Sequence, residues 1–239
     1  MRASNDRHCR AVTLWQSSLL DELQPQLSHG MIACAHNDNG HDDEGWAILM
    51  HDVSYGLLPW DHYIEPKANE DYLRNLARLH AHFWDSPVLD QPELCLSSMA
   101  ELTAVTTPIS FSTPWHVEGF NLLSKVYDHD VADILRRLVT DPQPVFNVLD
   151  HYPRTLIHGD FKVTNLAWNA SPQLQVAALD WQSAAVGVPT LDLGWYAVFL
   201  NSPPAPPHCA LISTTNIWRE SLAVVWMKAG GRRCLNSVC

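Results

Sequence analysis

The sequence predicts an α+β fold in which a mostly helical larger lobe carries a β-hairpin and a smaller lobe comes before it. Residues 67–84 place apolar side chains on one face at helical spacing, which predicts a long amphipathic helix. Two short apolar runs, 166–168 and 174–179, flank a turn sequence and predict the hairpin. A third apolar run, 46–50, is followed by turn-forming residues, so we expect a lobe boundary near residue 53.

Length and charge narrow the class of protein. The chain has 239 residues, of which 46% are hydrophobic, enough for one sizeable core or two small lobes. A formal net charge of -11 argues against a general nucleic-acid or anionic-membrane binder, because both need a cationic face. The charge says little about a small cationic substrate, which an acidic cleft could attract. The oligomeric state does not follow from these data.

The sequence shows no signal peptide, membrane span or CxxC pair, and these features bear on the expected cellular compartment. Residues 1–10 have no apolar signal-peptide core, and no apolar run reaches the roughly 18 residues of a membrane span. The six cysteines are scattered without a CxxC pair. These features predict a soluble cytoplasmic protein with reduced thiols.

The elements before the hairpin are assigned in chain order. Apolar residues at helical spacing predict a helix over 10–24, which Pro25 ends. The polar segment 35–45 predicts an exposed loop, and 46–50 a buried strand. In the helix over 67–84, Asn69 is the expected cap.

Helical patterns dominate the remainder of the chain. They recur at 117–127, 129–139 and 144–151, whereas 88–115 shows no clear pattern. Residues 189–200 predict a buried helix with Thr190 near its start. A rigid proline-rich linker at 203–207 and a last helix over 209–228 complete the prediction.

One stretch carries the chemistry. Residues 156–165 read LIHGDFKVTN, in which a short apolar approach delivers His158-Gly159-Asp160 and an asparagine follows at Asn165. The second strand of the hairpin ends at Asp180. Because Asn165 and Asp180 lie at the open end of paired strands, we expect their side chains to approach each other.

An Asp, an Asn and a second Asp at this spacing suit magnesium-dependent phosphoryl transfer from ATP. Such a reaction needs a positioned hydroxyl, neutralised phosphate charge and one or two Mg²⁺ ions. Asp160 would accept or orient the proton of the attacking hydroxyl, while Asn165 and Asp180 would hold Mg²⁺ through hard oxygen ligands. His158 is expected to brace the loop. Lys162 either reaches the transferred phosphate or is a solvated surface lysine.

At these residues the sequence resembles the aminoglycoside phosphotransferase and choline-kinase-like family. The family pattern His-Gly-Asp-x-x-x-x-Asn, then Asp-Trp, then Gly-x-Pro-x-x-Asp stands here at 158–165, 180–181 and 187–192. The segment ARLHAHFW (77–84) resembles the family's Leu-His-Ala helix, and GWAILMHDVS (45–54) its hinge strand.

The resemblance implies a protein-kinase-like fold with ATP bound between two lobes. The hinge backbone near His51 and Val53 would meet adenine, Asp160 would be the catalytic base, and Asn165 and Asp180 would be metal ligands. Asp192 would anchor the catalytic loop from a helix start. The acceptor would be a small hydroxylated molecule.

The N-terminal part departs from the family pattern. Residues 8–16 resemble the helix that carries a glutamate, but Ala11 stands where the acid would fall, and no lysine occurs before Lys67. The chain is therefore expected to be an N-terminally truncated or degenerate member. Residues 1–53 would form a partial N-lobe, and 54–239 the helical C-lobe.

Two alternatives stay open besides an active small-molecule kinase. The first is a catalytically impaired kinase-like fragment that survives as a binding module. The second is a metal-dependent hydrolase using His158, Asp160 and Asp180. The thirteen histidines are dispersed and no HExxH occurs, so the sequence does not indicate a dedicated transition-metal site.

Overall fold

The computed structural model describes residues 9–37, 45–59, 62–104, 127–171 and 174–198, together with 118–119, 122 and 124–125. Within them the predicted α+β class is confirmed, because helices alternate with small antiparallel strand pairs. The helices are α1 (Arg10–Gln16), α2 (Pro66–His82), α3 (Met99–Ala104), α4 (His129–Thr140), α5 (Gln143–Leu149) and α6 (Thr190–Val198). The strands are β1 (Met31–Asn37), β2 (Gly45–Met50), β3 (Thr155–Ile157), β4 (Leu166–Ser171), β5 (Leu174–Ala178) and β6 (Ala185–Gly187).

The predicted helix over 10–24 is two short pieces. Helix α1 ends at Gln16, and a 3₁₀ turn follows at Leu19–Leu23. Between them the Ser17 hydroxyl donates to the Leu14 carbonyl at 2.8 Å, and Ser18 takes a left-handed conformation with φ 56°. Serine side chains compete in this way for helix carbonyls, so the apolar spacing survives while the helix does not.

The first strand pair differs from the prediction. Strand β1 pairs antiparallel with β2 and includes residues 35–37, which the polar sequence placed in a loop. Residues 38–44 lie outside the described part. Strand β2 was expected to be buried, yet the side chain of Leu49 is 60% exposed. The reason is that no second layer of described residues covers this two-stranded sheet.

Helix α2 is confirmed and forms the centre of the core. Its buried face contains Tyr72, Leu73, Leu76 and Leu79, with exposed fractions of 2% or less. The predicted cap at Asn69 is wrong, because the helix begins at Pro66, whose fixed φ suits a first helical position. Instead, Asn69 Oδ1 accepts a 2.7 Å hydrogen bond from the Tyr196 hydroxyl.

The predicted hairpin is confirmed as β4 paired antiparallel with β5. The strands run further than expected: β4 continues to Ser171, past the predicted turn start at Asn169. Asn169 has φ 51°, and the register shifts between Trp168 and Ser171, which marks a bulge. Asparagine tolerates the left-handed region, so a residue typical of turns stays inside the strand.

The third strand pair, β3 with β6, leads into the chemistry-bearing stretch. Strand β3 pairs antiparallel with β6, with Thr155 opposite Gly187 and Ile157 opposite Ala185. All three residues of β3 are buried. His80 of α2 is also buried and its Nδ1–H donates to the Leu156 carbonyl at 3.1 Å, in keeping with a core histidine.

One continuous core joins the N-terminal elements to the helical region. It packs α1 and the 3₁₀ turn against α2, the β3–β6 pair, the β4–β5 pair and α6. The division at residue 53 stays a prediction. The linker over 203–207 and the helix over 209–228 lie outside the described residues, as do residues 117, 120, 121, 123 and 126 of the predicted helix at 117–127. Among the described helices, none is both long and apolar enough to cross a membrane.

Candidate active site

The loop after β3 is fixed by a carboxylate from α6. Asp192 Oδ2 accepts the backbone N–H of His158 at 2.7 Å, and Oδ1 accepts that of Gly159 at 2.8 Å. Asp192 is buried, and burial raises its pKa to about 7 while the two N–H donors favour the charged form. The anchoring that the family resemblance implied for Asp192 is confirmed by these bonds.

Gly159 is needed for the shape of the loop. Its φ of +79° lies in the left-handed region, which L side chains rarely adopt. A Cβ at this position would overlap the carbonyl oxygen of Ser183, in the turn that follows Asp180. The glycine therefore lets the two halves of the site approach each other.

His158 braces the loop from within. Its Nδ1 accepts the Asp160 N–H at 3.3 Å, so Nε2 carries the proton and donates to the Leu179 carbonyl at 3.0 Å. Burial lowers the pKa of His158 to about 4, and the ring packs 4.5 Å from that of Trp181. Because both ring nitrogens are engaged, His158 is not placed to bind a metal, which weighs against the hydrolase alternative.

The Asp160 carboxylate lies at the centre of a hydrogen-bond cluster. Lys162 Nζ contacts Oδ2 at 2.8 Å, and Asn165 Nδ2 donates to the same oxygen at 2.9 Å. Asn165 Nδ2 also donates to the Asp160 carbonyl at 3.0 Å. The side chains of Asp160 and Lys162 are 14% and 29% exposed, so the lysine is a partner of Asp160 rather than a solvated surface residue.

A tryptophan that the sequence did not indicate completes this cluster. Trp195 Nε1 donates to Asp160 Oδ1 at 2.8 Å. Trp195 lies three residues after Asp192 on α6, about one helical turn along the same face. That spacing was the available signal, because a helix anchored to the loop through Asp192 must bring its next turn close to the loop.

Asp180 reaches the same region from the other strand of the hairpin. The Leu179 N–H donates to the Asn165 carbonyl at 2.8 Å, which brings the two strand ends together, while the approach of the Asn165 and Asp180 side chains stays a prediction. Asp180 is exposed and has φ 67°, and Gln182 Nε2 donates to its Oδ2 at 3.3 Å. Arg10 Nη1 of α1 in turn donates to the Gln182 carbonyl at 3.1 Å, so α1 supports this turn.

The hinge residues lie against the same hairpin. Val53 packs with Ala167 and Ala177 of β4 and β5, and Leu57 forms a bridge with Ala167. The His51 N–H donates to the Gly30 carbonyl at 2.8 Å. The Val53 carbonyl accepts the Gly56 N–H at 2.9 Å. The hinge is therefore adjacent to the strands that carry Asn165 and Asp180.

The structure also shows a cavity that lies apart from the Asp160 cluster. A cavity of about 360 Å³ opens between α3, α5 and the Gly187 end of β6. It is at the opposite end of the β3–β6 pair from Asp160. In the part of the chain that the structure describes, no group of three or more His, Cys, Asp or Glu side chains is placed to hold a metal.

The chain is similar to a known protein family and to a solved phosphotransferase. The model of a family described as the phosphotransferase enzyme family matches residues 41–212, more than half of the chain. The apoenzyme of macrolide 2'-phosphotransferase MphH from Brachybacterium faecium is 15% identical, with a TM-score of 0.36. The match covers 95% of this chain and 66% of that one, so the chain spans slightly less than two thirds of the solved protein's length. No curated protein matches the chain.

Proposed function

Because the chain belongs to the phosphotransferase enzyme family, we propose that it transfers the γ-phosphate of ATP to a hydroxyl of a small molecule. The observation that carries this proposal is that Lys162 and Asn165 both contact the Asp160 carboxylate. Asp180 follows the adjoining strand end. Phosphoryl transfer needs a group that orients the attacking hydroxyl, a positive charge and metal ligands close together, and these side chains can supply them.

The residues present fit a nucleotide with Mg²⁺. Asn165 commits Nδ2 to Asp160, which leaves its Oδ1 as the proposed hard ligand. The exposed Asp180 carboxylate supplies the second ligand oxygen. At the hinge, the His51 N–H and Val53 carbonyl are engaged within the protein. The His51 carbonyl and the Val53 N–H are then the groups proposed to pair with adenine.

The chain's own side chains set up the reaction as follows. Asp160 accepts a hydrogen bond from the acceptor hydroxyl, whose oxygen attacks the γ-phosphorus in line with the bond to the leaving ADP oxygen. As the new O–P bond forms and the old one breaks, the hydroxyl proton passes to Asp160. Lys162 holds the other oxygen of Asp160 and offsets negative charge beside it. Mg²⁺, when bound, neutralises the phosphate oxygens.

The net charge of the protein suggests the chemical class of the acceptor. With a net charge of -11, the protein attracts a small cationic acceptor more readily than an anionic one. A small hydroxylated amine is therefore the proposed acceptor class, and no nucleic acid or membrane is part of the proposal.

The test is a screen for Mg²⁺-dependent ADP release with amino alcohols, amino sugars and neutral polyols as acceptors. Asp160→Asn should lower kcat about a thousandfold for any acceptor that is turned over, because the variant cannot accept the proton. Asp130→Asn removes an exposed carboxylate in the first turn of α4 and should leave kcat unchanged. An Asp160→Asn rate equal to the wild-type rate would sink the proposal.

A non-catalytic binding module is the second candidate. The observation that favours it is that the first lysine of the chain, Lys67, pairs with Asp71 of α2 at 2.6 Å and not with a carboxylate of the site. Thermal stability with Mg²⁺ and ATP separates the two, since bound nucleotide raises the Tm by mass action. A raised Tm without turnover of any acceptor supports the module, and turnover excludes it.

A further inference from the structure

Trp195 stands out because it is large, partly exposed and bonded to the central carboxylate. Its side chain is 43% exposed, although Asp192 and Tyr196 of the same helix α6 are buried. Exposed tryptophans that direct a polar atom at a charged group are common in binding sites, because the ring offers apolar area and the N–H a fixed donor.

The hydrogen bonds divide the two oxygens of Asp160 between different tasks. Oδ2 is taken by Lys162 and Asn165, which come from its own loop. Among the described residues, Oδ1 receives the indole N–H of Trp195, which comes from α6. An ionised carboxylate oxygen accepts two hydrogen bonds, so Oδ1 keeps one direction for a further donor. That donor position is beside the exposed indole ring.

We propose that Trp195 positions the Asp160 carboxylate so that Oδ1 receives the acceptor hydroxyl, and that its ring forms a wall of the acceptor site. The inference rests on the proposed function, which it deepens by naming a residue that selects the acceptor. The ring and the N–H have separate effects. The N–H holds the carboxylate in place and therefore acts on kcat. The ring packs against the carbon skeleton of the acceptor and therefore acts on its KM.

Two substitutions separate these effects. Trp195→Phe keeps a flat apolar ring but removes the donor, so kcat should fall about tenfold while the acceptor KM stays within about threefold. Trp195→Ala removes both, so the acceptor KM should rise about tenfold in addition. The KM for ATP should be unchanged in both variants, because the nucleotide is proposed to bind at the hinge.

Trp168→Phe is the matched control. Trp168 Nε1 donates to Asp71 Oδ2 at 3.0 Å, so this variant also loses an indole–carboxylate bond, but at the surface of α2. Its kinetic constants should match those of the wild type. A Trp195→Phe kcat that is unchanged or higher overturns the positioning role. An unchanged acceptor KM in Trp195→Ala overturns the wall, and a parallel change in the KM for ATP indicates a structural effect only.

A spectroscopic test does not depend on finding an acceptor. In ¹⁵N-labelled full-length protein, the indole N–H resonance lost in Trp195→Phe identifies Trp195. In Asp160→Asn this resonance should move upfield, because a neutral amide oxygen is a weaker acceptor than a carboxylate. The Trp168 resonance should stay in place. A Trp195 resonance that does not move shows that the contact is absent and overturns the inference, whereas failure of the acceptor screen alone counts against the proposed function.

Discussion

The loop around Asp160 and the β1–β2 pair are built in opposite ways. The loop is tied to α6 through Asp192 and Trp195, to β5 through His158, and to itself through Asn165. The β1–β2 pair depends on its own ladder and on contacts at one end. The proposed chemical half of the site is thus held by several independent elements, whereas the proposed nucleotide half tolerates change on its exposed face.

The largest expected effect tests how tightly the loop is held. Gly159→Ala places a Cβ into the Ser183 carbonyl oxygen at a φ of +79°. We expect a loss of about 3 kcal/mol or more in the free energy of unfolding, and a fall in turnover of about a hundredfold as the loop shifts. Urea unfolding and the ADP-release assay measure the two quantities.

Gly194→Ala is the control for this substitution. A Cβ at Gly194, in α6, meets nothing within 4 Å. Alanine should therefore stabilise the helix by up to about 1 kcal/mol. Equal effects of the two substitutions would contradict the view that Gly159 is fixed by its surroundings.

An effect of intermediate size is expected in the free energy of unfolding when the pH is lowered from 7 to 5. Burial lowers the pKa of His158 to about 4, below the ordinary 6.5, so the unfolded chain takes up a proton that the folded loop refuses. The contribution of His158 to stability is therefore complete above pH 6.5 and is lost as the pH falls towards 4. Between pH 7 and pH 5 the loss amounts to about 2 kcal/mol.

Protonation of His80 and Asp192 does not add to this loss of unfolding free energy between pH 7 and pH 5. Burial lowers the pKa of His80 to about 3 and raises that of Asp192 to about 7, so at pH 5 the folded pair binds one proton. The unfolded pair at pH 5 also binds one proton, on the histidine. Urea unfolding of His158→Gln should then show less than about 0.5 kcal/mol difference between pH 7 and pH 5. A difference as large as in the wild type would show that another group is responsible.

The smallest effect concerns β2. Leu49 is 60% exposed, so Leu49→Lys should change the free energy of unfolding by less than about 0.5 kcal/mol. Leu76→Ala, in the fully buried face of α2, should cost about 2–5 kcal/mol in the same urea assay. A large loss for Leu49→Lys would mean that this face is covered, and would remove the contrast between the two regions.

The sequence predicted those elements whose formation depends on residues within one segment of the chain. Helix α2 and the β4–β5 hairpin follow from apolar spacing within one segment, and both are present. The break at Ser17-Ser18 was missed because the Ser17 side chain and the left-handed backbone of Ser18, rather than hydrophobic spacing, decide it. Strand β1 was missed because its residues 35–37 are polar or small, and a two-sided exposed strand shows no apolar alternation.

The site shows the same division. Asp160, Lys162 and Asn165 lie within six residues, so their spacing alone indicated a cluster. Trp195 lies 35 residues from Asp160, and only the docking of α6 brings them together. The roles of Asp160, Lys162, Asn165 and Asp180, and of the hinge at His51 and Val53, stay predictions that the experiments above address.

The bond between Asp192 and the loop also sets an order of events during synthesis. The two partners are separated by 33 and 34 positions, and the loop amides meet their acceptor only after α6 has been made. A nascent chain that has reached the end of β5 already contains Asp160, Asn165 and Asp180, but the His158 and Gly159 amides still lack their partner. Because long-range contacts close after local ones, the β4–β5 hairpin forms early and the loop becomes fixed late. We therefore expect folding of this region to end with the step that completes the site.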